Sequence, residues 1–456
     1  MTDSLRAPGP RGLPVLGSMI DWRTHPIDFM LRARDEYGGV TRVQLGPITM
    51  HILSDPDAVS HVLTTNNKNY RRGAIYEQFK LFMGKGLLTT DGDDWRDHRR
   101  AVSPVFLKNA MGPVVPSVVA ATARMLDEWE DKARTGQPVD LMAEMMRLTL
   151  LTLSQALFCY DITPSVPQLK SIVDTGIDIM FKHGYISEMM PAWLPTRRNR
   201  TVRKNLAYLH QMAADIRATH ASTGQGQLME LMESARYPGT ERGWSDAEIR
   251  DEILTIYLAG HETTATGLFW TLASVADQPE VQERLDDEIS RVLRGGPPDG
   301  TTVDDLEYAR MVVDESLRLH PPIWGYPRDA IEADTVAGYE IPAGSSLLLS
   351  PLAAQLNPEF WPDPDKFIPE RFTAEAVKAR PRFAYFPFGG GARMCVGNLM
   401  ALLEMRTVTA MVNQRFRLSL RSARYPRYGD SLISLRPDDV LVDLHSRRSS
   451  STMIPA

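Results

Sequence analysis

The side chain with the most chemistry in its surroundings is Cys395. It lies in the run Phe388-Gly389-Gly390-Gly391-Ala392-Arg393-Met394-Cys395-Val396-Gly397, immediately ahead of a helical stretch. Three consecutive glycines let a backbone turn sharply and approach a flat ligand closely. A thiol just before a helix N-terminus has its pKa lowered and is favoured as a thiolate ligand. The glycines do not build a nucleotide loop. A G-x-G-x-x-G run from Gly389 meets Met394 where its last glycine belongs, and no Lys-Ser/Thr pair is present for a phosphate loop. Cys159, the other cysteine, lacks such surroundings and reads as a buried inert thiol. Two cysteines argue against a disulfide framework or a cysteine-built zinc site, and for a reducing compartment.

A second constellation falls in the apolar stretch 253–276, as Ala259-Gly260-His261-Glu262-Thr263-Thr264. The zinc-protease pattern His-Glu-x-x-His fails because position 265 is Ala. On a helix, Gly260 leaves a gap above a planar cofactor, and the Thr263 hydroxyl reaches back to the carbonyl of Ala259, locally opening the helix. Glu262 stands beside it as a proton relay. Two weaker pairs accompany these. Glu315 and Arg318 share a helix face at i and i+3. Trp95 and Arg99 offer an indole N–H and a guanidinium fork, both donors suited to a carboxylate.

At every fixed position the run 388–397 fits Phe-x-x-Gly-x-Arg-x-Cys-x-Gly, and so resembles the haem-binding signature of the cytochrome P-450 family. The resemblance implies haem b with Cys395 as the axial ligand to iron. Phe388 would pack beside the thiolate, Gly389 and Gly397 would frame the loop, and Arg393 would pair with a propionate. A cysteine thiolate pushes electron density onto haem iron and favours O–O cleavage. Pro369-Glu370-Arg371-Phe372 is similar to a second family motif, which implies a buried Glu315–Arg318–Arg371 network holding the cysteine loop. By the same resemblance Trp95, Arg99 and Arg328 are propionate contacts. Gly260, Glu262 and Thr263 match the family's Ala-Gly-x-Asp/Glu-Thr; His261, where many members carry a small or apolar residue, could tune proton delivery or simply cap against a neighbour.

Family correspondence also places a substrate pocket among residues 73–88, 180–193 and 256–264, including Ala259, together with Ile323, Trp324 and Tyr326. Met189, Met190 and Trp193 fall at its mouth. This apolar lining suits a medium-to-large apolar molecule such as a terpenoid, polyketide, steroid or fatty acyl chain. The implied activity is monooxygenation with dioxygen, using electrons from a separate ferredoxin and its NAD(P)H-dependent reductase. Arg96, Arg100 and Arg406 would face that donor. The alternative is a haem-thiolate protein that does not activate dioxygen: a redox or gas sensor, or an isomerase-like member.

The elements that must position these residues are mostly helical. Periodicity predicts helices over 24–37, 56–64, 94–107, 115–134, 139–160, 167–183, 200–222, 226–234, 304–319 and 397–414. Ser245 and Glu248 form a capping box opening the long apolar helix, which runs to Asp277, and Pro279 starts the next. A hairpin is expected at Gly46-Pro47, two more around Ala337-Gly338 and Gly344, and a last strand pair near Leu418 and Leu444. The fold expected is mainly α with a small β-rich subdomain, the P-450 fold, with haem between the long helix and the helix after the cysteine loop. One domain is expected over 1–445, with a disordered tail from 446.

Composition agrees. The 456 residues are 43% apolar and 24% charged with a net charge of −6, which excludes a disordered chain, a rod and a basic nucleic-acid groove. The proline-broken start carries no apolar run, so neither a secretory leader nor a membrane anchor is expected, and the location expected is cytoplasmic. Glu262 at the middle of the apolar stretch marks a buried core helix rather than a membrane span.

Overall fold

The computed structural model describes residues 5–181, 194, 196–422, 424–429 and 434–447. The disordered tail expected from 446 begins too early, since Ser446 is the last residue of a strand and Arg447 is paired with Asp286; residues 448–456 and most of the methionine-rich stretch 180–193 lie outside the described residues. The chain forms two compact units, Met1–Tyr76 with Asp314–Cys395, and Glu77–Val313 with Val396–Ala456.

In the first unit the strands are β1 (Val40–Leu45), β2 (Ile48–Leu53) and β3 (Tyr70–Arg72), then β5 (Tyr326–Ala330), β6 (Asp334–Val336), β7 (Tyr339–Ile341) and β8 (Ser346–Leu349); β4 (Val139–Asp140) belongs to the second unit. The hairpin β1–β2 forms as expected, turning at Gly46, whose positive φ of 58° suits glycine. Around Ala337-Gly338 the short hairpin β6–β7 also forms. Gly344, however, does not close a local hairpin. It delivers β8 into the middle of a five-stranded sheet of order β1-β2-β8-β5-β3, parallel to β2 and antiparallel to β5. Leu347, Leu348 and Leu349 read as a continuous apolar run because this strand is covered on both faces. Beneath it Val40, Leu53, Val62, Leu63, Leu349, Phe383 and Phe386 share one core.

The second unit is built on the helix Asp246–Asp277. Its capping box is present: Glu248 N–H donates to Ser245 Oγ, and Ser245 N–H donates to Glu248 at 2.7 Å. From Ile249 to Val275 nearly every side chain is buried, against the helix Leu141–Phe158 above all. The helices Val114–Thr135 and Asn398–Arg415 also pack in this unit. At its side β4 pairs with β10 (Leu441–Ser446), which pairs with β9 (Phe416–Leu420). Among the described residues no helix is long and apolar enough to cross a membrane.

Cys159 departs from expectation. It ends the helix Leu141–Phe158 in the left-handed conformation, φ 49°, and is partly exposed rather than buried.

Candidate active site

Cys395 is exposed, at the end of a tightly closed loop. Its N–H donates to the Phe388 carbonyl at 3.0 Å, and those of Gly389 and Met394 donate to Phe386 and Gly391. Gly389 and Gly391 take φ of 69° and 64°, which a side chain would strain. Crowding adds a second requirement: a Cβ on Gly390 would overlap the Phe383 ring, and one on Gly391 would overlap the Leu63 carbonyl. The loop therefore presents its thiol on a backbone that has no slack.

Behind it stands the charge network. Arg318, fully buried, grips Glu315 through Nε and Nη2 at 2.7 and 2.9 Å, and donates to the carbonyls of Gln355, Pro364 and Lys366. Arg371 approaches the same carboxylate at 3.4 Å and donates to the Asp363 carbonyl. Burial pushes the Glu315 carboxyl up, against the pull of Arg318 and Arg371. A residue that sequence reasoning missed joins this network to the loop. Gln355 donates to the carbonyls of Leu317 and Arg318, while its Oε1 accepts the Phe386 N–H at 3.0 Å. No spacing rule marks a lone glutamine, and only its complete burial gives it away.

Arg328, on β5, is buried. Among the described residues its guanidinium donates to the Pro327 carbonyl and meets no carboxylate. A buried guanidinium without an acid, an exposed thiol on a rigid loop and the half-exposed Arg393 form a donor set that fits haem: a soft anionic ligand for iron and cations for its carboxylates. Tyr326 and Trp324, expected in the substrate pocket, each have a close protein neighbour. The Tyr326 hydroxyl donates to the Pro387 carbonyl at 2.5 Å and its ring faces Gly389. Trp324 is buried against Trp22, their ring centroids 6.1 Å apart. Ile323 remains half-exposed.

In the second unit, Trp95 and Arg99 lie half-exposed on the helix Gly92–Val102, and Gly397 caps the helix Asn398–Arg415. Between Trp95 and Arg99, the buried His98 is bound to Glu252 at 2.6 Å. The same Glu252 oxygen accepts the Leu87 N–H, and Asp251 accepts that of Lys85, so two adjacent acids of the long helix hold the segment 84–87. Gly86 is required there because a Cβ would overlap Thr255.

The long helix, buried almost throughout, is left partly open at Leu258, Ala259, Gly260 and Thr263. Thr263 donates to the Ala259 carbonyl at 2.8 Å, as the spacing implied, and Thr264 donates to that of Gly260 at 3.0 Å. His261 is buried with Nδ1 on the Tyr257 carbonyl, and burial lowers its pKa, so it is a capped core histidine. Two expectations need correction. The missing side chain of Gly260 leaves no gap for a cofactor, because the space is filled by Leu153 of the neighbouring helix. Nor is Glu262 a free relay: it is buried, and its Oε1 accepts from Ser434 at 2.6 Å and Arg436 at 2.8 Å. Arg406 is a third correction, since its side chain is 11% exposed and donates to the Val303 carbonyl. Arg96 and Arg100 are exposed but paired with Asp93 and Asp97. Met189, Met190 and Trp193 lie outside the described residues.

The cytochrome P-450 family model matches residues 7–442. Cyclooctat-9-en-7-ol 5-monooxygenase of Streptomyces melanosporofaciens is 30% identical over 90% of this chain and 88% of its own. Pentalenene oxygenase of Streptomyces avermitilis is 27% identical over 90% and 91%. Among solved structures, the cytochrome P-450DA heme domain superposes with a TM-score of 0.86 at 26% identity, covering 97% of this chain and 99% of that one. Matched over nearly its whole length by the family model, and similar to named monooxygenases and to haem-domain structures, the chain belongs to the cytochrome P-450 family of haem b monooxygenases.

Proposed function

We propose that the protein inserts one oxygen atom of dioxygen into a C–H or C=C bond of a medium-to-large apolar molecule. Electrons would come from a separate ferredoxin and its NAD(P)H-dependent reductase, in the cytoplasm, with the protein working as one P-450 domain. Relatives whose names specify cyclooctat-9-en-7-ol and pentalenene support a cyclic terpenoid skeleton as the first class to try.

Haem b, when bound, supplies the redox chemistry that splits dioxygen. Cys395 would ligate it through sulfur with Phe388 alongside, while Arg328, Arg393, Trp95 and Arg99 would bind its carboxylates. The chain's remaining task is protons. Thr263 presents a hydroxyl on the open face of the long helix, fixed by its bond to Ala259, with a buried carboxylate next to it in sequence. This hydroxyl–acid pair carries the reading, since proton delivery is needed for O–O cleavage and not for sensing a gas. Because Ser434 and Arg436 hold Glu262 by one oxygen, a proton would pass by way of the Ser434 hydroxyl or after the ion pair opens.

The test is NADPH consumption by the haem-loaded protein with added ferredoxin and reductase, over a panel of cyclic terpenes screened first by haem spectral shift. A product one oxygen heavier is expected. Panel members that bind and shift the haem spectrum, yet give neither NADPH oxidation nor product, would favour the sensor alternative.

A further inference from the structure

Before the cysteine loop can hold a thiolate in one geometry, something must hold the loop, and in the first unit that contact is made by an unusual turn. The short helix Pro56–Ser60 does not continue as an α-helix but widens into a π-turn, His61–Thr65, in which Asn66 N–H donates to the His61 carbonyl at 2.8 Å. Such turns are rare and often sit at functional sites. This one presses on the loop. The Leu63 carbonyl lies where a Gly391 side chain would be, and the Leu63 methyl lies 3.4 Å from where Gly390 would carry one. The two glycines are thus shaped to the turn.

A π-turn lacks the hydrogen-bond economy of a regular helix, so it needs outside restraint. Asp334, the first residue of β6, supplies it with a single oxygen. Oδ2 accepts from His61 at 2.8 Å, from Asn66 Nδ2 at 3.0 Å and from the Tyr70 hydroxyl at 2.6 Å, while Oδ1 accepts the Thr335 N–H. His61 opens the turn and Asn66 follows its end, so one carboxylate closes it at both ends. Asn69 adds a second fastening, exchanging bonds with the backbone of Ile331 and Glu332.

We propose that Asp334 is a positioning residue for the haem-ligating loop: by clamping both ends of the π-turn it fixes Leu63 against Gly390 and Gly391, and so the stance of the Cys395 sulfur. The inference rests on the thiolate reading of Cys395. Its chemistry is that a loop allowed to relax lets the sulfur take up a proton or lengthen its bond to iron, and either change alters the absorption of the haem.

The experiment compares purified, haem-loaded wild type, Asp334→Ala, His61→Ala and Thr41→Val, the last removing hydroxyl bonds to Ala33 and Gly38 elsewhere in the same unit. The readout is the ferrous carbonyl spectrum, with haem content and melting temperature measured alongside. Asp334→Ala should convert part of the red-shifted thiolate band into the shorter-wavelength band of a neutral-thiol complex. His61→Ala, which loses one tether of three, should shift less in the same direction, and Thr41→Val should lower the melting point while leaving the band in place. If Asp334→Ala yields too little protein, His61→Ala alone decides. A folded, loaded His61→Ala or Asp334→Ala with the wild-type spectrum overturns the inference, as does an equal loss of the band in Thr41→Val. Cys395→Ser separates the two layers: retention of the band there would sink the ligand assignment itself, whereas its loss together with an unmoved Asp334→Ala spectrum would sink only the positioning role.

Discussion

Thr263 spends its hydroxyl proton on a carbonyl four residues back, which leaves its oxygen free to accept and pass on a proton from the open side of the helix. Thr263→Ala should keep haem content and substrate binding and lose coupling, with NADPH still consumed while product falls and hydrogen peroxide rises. The ratio of product to NADPH oxidised is the measurement, and unchanged coupling would transfer the role to Thr264. Glu262→Gln differs from this because it removes the charge facing Arg436, whose side chain is 18% exposed, so the loss falls below the about 3–5 kcal/mol of breaking a fully buried pair. A lower melting temperature is expected along with slower turnover, and Glu262→Gln with wild-type stability would contradict the ion-pair assignment. Glu404 is a buried acid of another kind. Its described partner is the Thr152 hydroxyl, and burial pushes its pKa up to about 8. The folded protein therefore holds a proton that the unfolded chain, titrating near an ordinary glutamate pKa of about 4.3, has released. That contribution is complete below the unfolded value and is lost as pH rises through about 8. Glu404→Gln should flatten the fall in melting temperature between those limits; an identical pH profile would refute it. Thr263 was legible because its partner is four residues away. Ser434, Arg436 and Thr152 were not, since each meets its acid across more than a hundred residues.

Helices were legible wherever one face is apolar, and the capping box at Ser245 fixed the start of the long helix to the residue. The helix Ile75–Met83 was missed, and the π-turn His61–Thr65 was merged into the helix expected over 56–64 because a wider turn keeps the same apolar spacing over one cycle. β8 shows the limit of local reading in the sheet: its flanking glycine turn suggested a hairpin, but its pairing with β2 is decided by a segment nearly three hundred residues earlier. The Glu315–Arg318–Arg371 group came from motif resemblance and is found as one network, to which packing adds Gln355. Gln355→Leu preserves much of the volume but strands the Phe386 N–H and two helix-end carbonyls. Each such buried group costs about 1–3 kcal/mol. Folded, haem-loaded yield should drop in Gln355→Leu and Glu315→Ala alike, and a Gln355→Leu variant with normal loading would detach the network from the loop. At Gly86, an alanine Cβ would overlap the Thr255 side chain, so the segment 84–87 must shift off the long helix or the Thr255 hydroxyl must turn away. Gly86→Ala is therefore expected to weaken substrate binding, seen as a smaller spectral shift at a given ligand concentration, with the carbonyl spectrum unchanged.

For the molecule as a whole, composition and motif together pointed to the correct class, while the partition of the chain into its two units was invisible, because the first of them is assembled from both sides of a long interruption. That interruption matters when the protein is made. β1 and β2 leave the ribosome early, but the strand that pairs with β2 comes near residue 346, after almost the whole of the other unit's helices. At about 5–20 residues per second, a gap of roughly 290 residues holds the hairpin waiting on the order of 15 to 60 seconds. Through that interval the edge of Ile48–Leu53 is an unpaired β template, open to any neighbouring nascent chain. Chains arrested at residue 325 should accordingly lose their first seventy residues to brief proteolysis, while chains extended past residue 395 by a tether long enough to clear the exit tunnel should keep them. A holdase that covers this one short strand through that interval should then raise the yield of folded protein, because the strand is safe only once Ser346–Leu349 has been made.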